Sequence, residues 1–360
     1  MPKQSNATLA MAKAATKSKA KIKAKIKAKT KAESKNRNKT KAAIKRPLYL
    51  TEDDVQALVT VKDAIATLEL LFETWRDPAT VNLPRQRAAV GKGAFNLMGA
   101  AWGASEIFGL KAYYGAAGGR FHVLLYSARD GSLKAMIEAD NLGQMRTGAA
   151  SGLATKLLAN PGARTLGVIG AGRQAFAQVA AVCAVRKIET VRVFARMAEH
   201  RETFAEHIER KLRVAAMAAP SAEAAIGDAE IVVTITKSAE PVLRANWLKS
   251  GVHVNAAGAN AAARREVDAE TVLRSTVRAT DHLAQAQVEA GEYRDLVAAG
   301  RLKWQDIVEL GDILTEKAPG RRGPADITLF KSLGIALEDI AFADLIWRRA
   351  IERGAGKPMP

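Results

Sequence analysis

The run Leu166-Gly167-Val168-Ile169-Gly170-Ala171-Gly172-Arg173-Gln174-Ala175-Phe176-Ala177-Gln178-Val179-Ala180 carries the most pointed chemistry in the chain. It reads as a buried strand, a glycine turn and the first turns of a helix. Gly170 lets the chain turn sharply off the strand, Gly172 lets backbone approach a pyrophosphate, and Ala175 keeps the helix close to the sheet. Free N–H groups and the helix dipole at that terminus favour an anion, so Gly170, Ala171, Gly172, Arg173, Gln174 and Ala175 are candidate cofactor-binding residues. Alone, Gly-x-Gly-x-x-Ala also describes an ordinary strand-to-helix turn, so the flanking elements must decide.

They favour the nucleotide reading. Arg146-Thr147-Gly148-Ala149-Ala150-Ser151-Gly152 opens a small-residue helix that stops at Asn160-Pro161-Gly162, and candidate strands follow the turn at 190–194, 231–236 and 252–256. Short β-branched strands alternating with Ala-rich helices imply a parallel sheet with helices on both faces, an α/β Rossmann-type domain. In folds of this kind that prefer NAD, an acid about 20 residues past the glycines binds the ribose 2′-hydroxyl. Here the chain reads Phe194-Ala195-Arg196. A guanidinium suits a 2′-phosphate, so the cofactor is expected to be NAD(P)(H) with NADP(H) favoured; the alternative is that Arg196 stacks on adenine or faces water.

The rest of the chain sets bounds. Its 360 residues suffice for about two domains. No run of about 18 uncharged apolar residues occurs, so no membrane span is expected. The single cysteine, Cys183, allows no internal disulfide and suits a reducing, cytoplasmic setting. His122, His200, His207, His253 and His282 show no metal-ligand spacing, and no metal site is expected. The net charge of +18 is concentrated: residues 1–46 hold 16 Lys and Arg against the single acid Glu33. This low-complexity tail is expected to be disordered. It is either a solvated extension, with Met11 as an alternative start, or an arm making non-specific contact with nucleic acid or another polyanion. It lacks the apolar core of a secretory signal and the Arg-rich amphipathic face of a mitochondrial one.

From Tyr49 the pattern changes. Thr51-Glu52-Asp53-Asp54 starts a helix, and helical spacing continues over 61–75. Strands are expected at 94–98, 110–114, 121–127 and 133–138, the last two as a hairpin. Residues 279–300 read as a polar helix stopped by Gly300, and 327–353 as a short strand, a turn and a long helix.

Taken together, Gly109-Leu110-Lys111, Leu142-Gly143-Gln144-Met145-Arg146-Thr147-Gly148, the glycine turn, Val252-His253-Val254-Asn255-Ala256-Ala257-Gly258 and Ile327-Thr328-Leu329-Phe330-Lys331-Ser332-Leu333-Gly334 resemble the ornithine cyclodeaminase/mu-crystallin family. The likeness runs from about Tyr49 to the C-terminus and leaves out the tail. It implies a homodimeric enzyme whose Rossmann domain (146–324) is inserted into an α+β substrate and dimerisation domain (47–145 plus 325–360). Members move a hydride between nicotinamide and the α-carbon of a small amino or imino acid.

Position by position, the resemblance makes Lys111 the substrate-contacting lysine and Arg87 the clamp on the substrate carboxylate, with Arg85 as its rival. Arg146 and Thr147 would lie near the cofactor phosphates and substrate, with Thr147 starting a helix. Thr234, Thr236 and Ser238 would stand beside the cofactor, and Val254, Asn255, Ala256 and Ala257 would line the nicotinamide pocket. Ser332 and Leu333 would bring the returning chain to the site. One departure bears on the reaction. Where the family's ornithine cyclodeaminases carry an acid/base aspartate, this chain has Asn260, whose amide can hydrogen-bond a substrate but cannot exchange a proton near neutral pH. Glu266 and Asp268 are nearby acids that read as helix N-terminal carboxylates. Reduction of a preformed ketimine or cyclic imine, or amino acid dehydrogenation, is therefore favoured over conversion of ornithine to proline and ammonia. A non-catalytic, nucleotide-bound protein tethered through its tail is the remaining alternative.

Overall fold

The structure, a computed structural model, describes residues 46–115 and 118–360. The Lys-rich tail, with its expected disorder and polyanion contact, lies outside them apart from Arg46.

Two sheets organise the chain. The first takes β1 (Leu48–Leu50), β2 (Val81–Val90), β3 (Gly93–Trp102), β4 (Ile107–Tyr114), β5 (Phe121–Ser127), β6 (Leu133–Glu138) and, from the far end of the chain, β15 (Lys357–Pro358), in the order β15-β1-β6-β5-β4-β3-β2. The second takes β7 (Thr165–Ile169), β8 (Thr190–Phe194), β9 (Ala215–Ala218), β10 (Ile231–Thr234), β11 (His253–Ala256), β12 (Val277–Thr280), β13 (Val308–Glu309) and β14 (Thr328–Lys331). Its order is β13-β12-β14-β11-β10-β7-β8-β9, and every pairing is parallel. This is the doubly wound sheet anticipated from the alternating pattern, with apolar clusters packed on it.

The helices, in chain order, are α1 (Glu52–Leu58), α2 (Val61–Thr74), α3 (Asp140–Leu158), α4 (Ala175–Val185), α5 (Ala198–Leu212), α6 (Ala222–Ile226), α7 (Ala269–Arg274), α8 (Leu283–Glu289), α9 (Gly291–Ala298), α10 (Leu310–Leu314) and α11 (Ala336–Arg353). Thr51 and Thr60 each close a capping box, with Asp54 and Asp63, which fixes where α1 and α2 begin. One core packs α1, α2, α3 and α11 on the first sheet.

Four expectations are corrected. α3 begins at Asp140, not near Arg146 or Thr147, because Glu52 of α1 accepts the N–H groups of Asp140 and Asn141 and supplies a cap from outside the helix. β2 was not anticipated: Pro84 breaks its pattern, and the chain tolerates proline there because β2 is an edge strand with an irregularity between Leu83 and Gln86. Residues 279–300 form the end of β12 and two short helices, α8 and α9, rather than one. Finally, β14 follows residue 324 yet pairs with β11 and β12 in the second sheet, so the chain leaves that sheet after Lys331.

α3 is the hinge of the packing. Its small residues permit close approach to α4: a Cβ on Gly148 would meet the carbonyl oxygen of Ala177 at 2.3 Å. At its far end, Thr155 Oγ1 accepts a 2.9 Å hydrogen bond from Asn255 of β11. On the first sheet, register places Phe95, Leu97, Phe108 and Tyr114 on the face opposite Met98 and Lys111, and all four are exposed. Phe108 stacks on Tyr126 within that face.

Candidate active site

Strand alternation turns Lys111 of β4 inward, in register with the buried Met98 and Val123. Its Nζ donates to Asp339 Oδ1 at 2.9 Å. Arg146, from the second turn of α3, donates through Nε to the same oxygen at 2.9 Å and through Nη1 to Glu338 Oε2 at 3.0 Å. All four side chains are buried. Burial pushes the Lys111 ammonium down to about 8, with Asp339 opposing that fall. Burial pushes the Glu338 carboxyl up to about 8 against the pull of Arg146. Asp339 behaves oppositely: burial raises it, but Arg146 and Lys111 together outweigh burial and hold it below the usual carboxylate range.

A second polar group adjoins the first. Arg85 of β2, 2% exposed, donates to both oxygens of Glu289 at 2.8 and 3.0 Å and to the carbonyls of Leu333 and Gly334 at 3.1 and 2.7 Å. Asp281, just past β12, accepts the N–H groups of Leu333 and Gly334 at 2.7 and 2.9 Å. The turn after β14 is thus held from both sides. Arg87, two residues beyond Arg85, is 32% exposed. It donates to Asn96 Oδ1 at 3.1 Å and to the Asn260 carbonyl at 2.6 Å, with Glu289 at 3.2 Å. Of the two rival arginines, Arg85 is committed to the protein interior and Arg87 remains partly exposed.

The loop bearing Asn260 is fixed from beneath by Glu266. That carboxylate accepts from Thr236 N and Oγ1 at 2.6 and 2.8 Å, from Gly258 N at 2.6 Å and from Ala259 N at 3.2 Å. Lys331 donates to the Ala259 carbonyl at 2.6 Å. The expectation that Glu266 sits at a helix N-terminus is corrected: it is fully buried and staples two strand ends together. Asp268 does cap α7, accepting from Thr271 N at 2.9 Å.

The glycine turn lies where β7 ends. Gly170 has φ +116°, a conformation open to glycine, and a Cβ there would strike the Ile235 carbonyl at 2.4 Å. Its N–H donates to Phe194 O at 2.8 Å, which sets the end of β8, and hence exposed Arg196, beside the turn. A Cβ on Gly172 would meet nothing within 4 Å, so the turn opens onto free space. Thr234 Oγ1, at the end of the neighbouring β10, is buried without a hydrogen-bond partner among the described residues. An open glycine turn before a helix N-terminus and an unsatisfied hydroxyl nearby fit a nicotinamide dinucleotide.

Other candidates are spoken for. Thr236 Oγ1 donates to Glu266, Ser238 Oγ to the Glu240 carbonyl and Thr147 Oγ1 to the Gly143 carbonyl. Ala256 and Val254 are buried in the core of the second sheet. Asn255 turns its amide to Thr155 and His253 in the interior. Ser332 lies 3.4 Å from Asp281. Arg173 reaches out of the glycine turn to Asp140 at 2.6 Å and stacks over Phe121. Ala171, Gln174 and Ala175 complete the turn and the start of α4. Among the described residues no cluster of His, Cys, Asp and Glu is arranged to hold a metal ion, and no helix is long and apolar enough to cross a membrane.

The sequence reading missed Glu338, Asp339, Glu289 and Asp281. The signal for the first two was available: adjacent acids inside the apolar run Ile335-Ala336-Leu337 to Ile340-Ala341-Phe342 need buried cationic partners.

The profile of the Ornithine cyclodeaminase/mu-crystallin family matches residues 45–354. The chain belongs to that family. It is 37% identical to a Delta(1)-pyrroline-2-carboxylate reductase of Bacillus cereus over 65% of this chain and 72% of the relative. Among solved structures, the Delta(1)-pyrroline-2-carboxylate reductase of Thermococcus litoralis, in complex with NADH and L-proline, superposes with a TM-score of 0.83 at 32% identity, covering 87% of this chain and all of that one. An archaeal alanine dehydrogenase dimer with bound NAD gives 0.82 at 27% identity, over 88% and 99% of the two chains.

The division between the two arginines has a stability consequence. Arg85→Met takes from buried Glu289 the guanidinium that bonds both its oxygens and leaves it Arg87 at 3.2 Å as cationic partner, so the expected loss in chemical denaturation is about 1–3 kcal/mol. An unchanged unfolding midpoint would show that Arg85 is not the interior tie described here.

Proposed function

We propose that this protein reduces a small cyclic imine carboxylate, with Arg87 holding the carboxylate and Lys111 supplying the proton. At the level of the family it is an NAD(P)-dependent oxidoreductase of imino or amino acids. The observation that carries the finer reading is the pairing of an inward lysine and a partly exposed arginine with an amide at position 260. Cyclodeamination needs repeated proton exchange during attack of an amine and loss of ammonia, and Asn260 cannot perform it. Imine reduction needs less. The bound nicotinamide supplies a hydride to the imine carbon, the C=N π pair becomes an N–H bond, and one proton is consumed. Arg87 orients the substrate through its planar guanidinium, the protonated Lys111 donates the proton, and Asn260 offers hydrogen bonds without taking part in proton exchange.

We also propose the two-domain division anticipated above, with its second boundary moved past β14. The exposed apolar face of the first sheet supports a homodimer formed across it, since a contiguous patch of this kind marks an interaction surface.

Three measurements test these readings. A spectrophotometric screen of cyclic imine carboxylates, and of keto acids with amines, is expected to show NAD(P)H loss with a cyclic imine, and Arg87→Met is expected to raise KM about tenfold or more. Release of proline and ammonia from ornithine, without imine reduction, would overturn the assignment. Arg196 supports a preference for NADP(H): titration is expected to give tighter binding of NADPH than of NADH, and Arg196→Asp to reverse the order. Tighter NADH binding by the unaltered protein would sink that preference. For the dimer, Leu97→Lys is expected to halve the mass seen by sedimentation equilibrium, and an unaltered mass would place the interface elsewhere.

A further inference from the structure

We propose that Asp339 is the positioning residue of this site: it holds the Lys111 ammonium and the Arg146 guanidinium on a single carboxylate oxygen and so keeps Lys111 a charged donor. The inference rests on the role given to Lys111 above and extends it to a residue that needs no contact with substrate or cofactor.

The geometry separates this role from the ordinary one for an acid near a helix start. Asp339 lies in the first turns of α11, where a carboxylate normally caps backbone N–H groups or complements the dipole. Its hydrogen bonds instead go to Lys111 Nζ and Arg146 Nε, both 2.9 Å from Oδ1, and Oδ2 has no partner among the described residues. Lys111 comes from β4 and Arg146 from α3, so one oxygen sets the relation between two elements of different origin.

The electrostatic setting makes the role necessary. Five elements place groups against Lys111: Asp339 from α11, Arg146 from α3, Arg85 from β2, and the rings of Tyr113 on its own strand and Phe121 on β5, at 5.9 and 5.6 Å. Farther on, Glu338 engages Arg146, and Asp281 lies close enough to act on Glu338. Burial, Arg146 and Arg85 all disfavour a charge on Lys111, and Asp339 is the anion in direct contact that favours one. Without it the lysine would lose its charge at a lower pH and leave a smaller protonated fraction to donate to an imine at neutral pH.

The test uses the full chain carrying [ε-13C]lysine, with the Lys111 resonance assigned by its loss in Lys111→Arg. In the unaltered protein that signal is expected to titrate near 8, below the surface lysines. In Asp339→Asn the midpoint is expected to fall by about one unit or more; an unmoved midpoint in the folded variant overturns the proposal. Asp339→Glu keeps the charge and displaces the oxygen, and it serves equally should the asparagine variant not fold. It is expected to keep the midpoint near that of the unaltered protein while kcat for imine reduction falls about tenfold or more with KM little changed. Full activity in Asp339→Glu overturns positioning. Because the NMR titration needs no substrate, it stands even if the imine assignment fails, so the two readings fall separately.

Discussion

A guanidinium sealed from water must find its charges inside the protein, and Arg146 finds them in Glu338 and Asp339 of α11. Taking one partner from such a buried pair typically costs about 3–5 kcal/mol, because the remaining charge has nowhere to go. That penalty ties α3 to α11 and, through Asp339, to Lys111 on β4. Beside it, Arg85 ties β2 to Glu289 of α8 and to the carbonyls of Leu333 and Gly334 just ahead of α11, and Glu289 in turn reaches Arg87, which touches Asn260. Lys111 and Arg87 are therefore tied into two adjoining networks of ion pairs.

The same burial sets the chemistry. Lys111 is pushed toward neutrality and Glu338 toward its protonated form, while Asp339 stays ionised because two cations share it.

The parts of this arrangement that are local in sequence were legible in it. The strand, glycine turn and helix at 165–185 follow from a short run of residues, as do the capping boxes at Thr51 and Thr60, and the family motifs picked out Lys111, Arg87 and Arg146. What failed to show was every feature set by distant partners. The early start of α3 depends on Glu52, 88 residues before Asp140. The partner of Lys111 lies 228 residues away. Glu266, three residues before α7, resembled an exposed N-terminal acid until its four donors from two other segments were seen. Asn255 sat in a motif near the cofactor, but strand alternation sends its side chain to α3 instead.

α3 keeps the glycine turn and the buried ion pairs in register. Near its start Arg146 meets α11, in its middle Gly148 and Gly152 lie against α4 directly behind the glycine turn, and at its end Thr155 bonds Asn255 of β11. With a Cβ at Gly148 excluded by the backbone of Ala177, the two helices are in contact with no side chain between them to yield. The separation between the glycine turn and Lys111 is thereby set by backbone packing on one side and by buried charge on the other. Hydride transfer is steeply sensitive to the placement of donor and acceptor, and in the proposed reaction the run of small residues between Gly148 and Gly152 would serve that placement through helix packing alone.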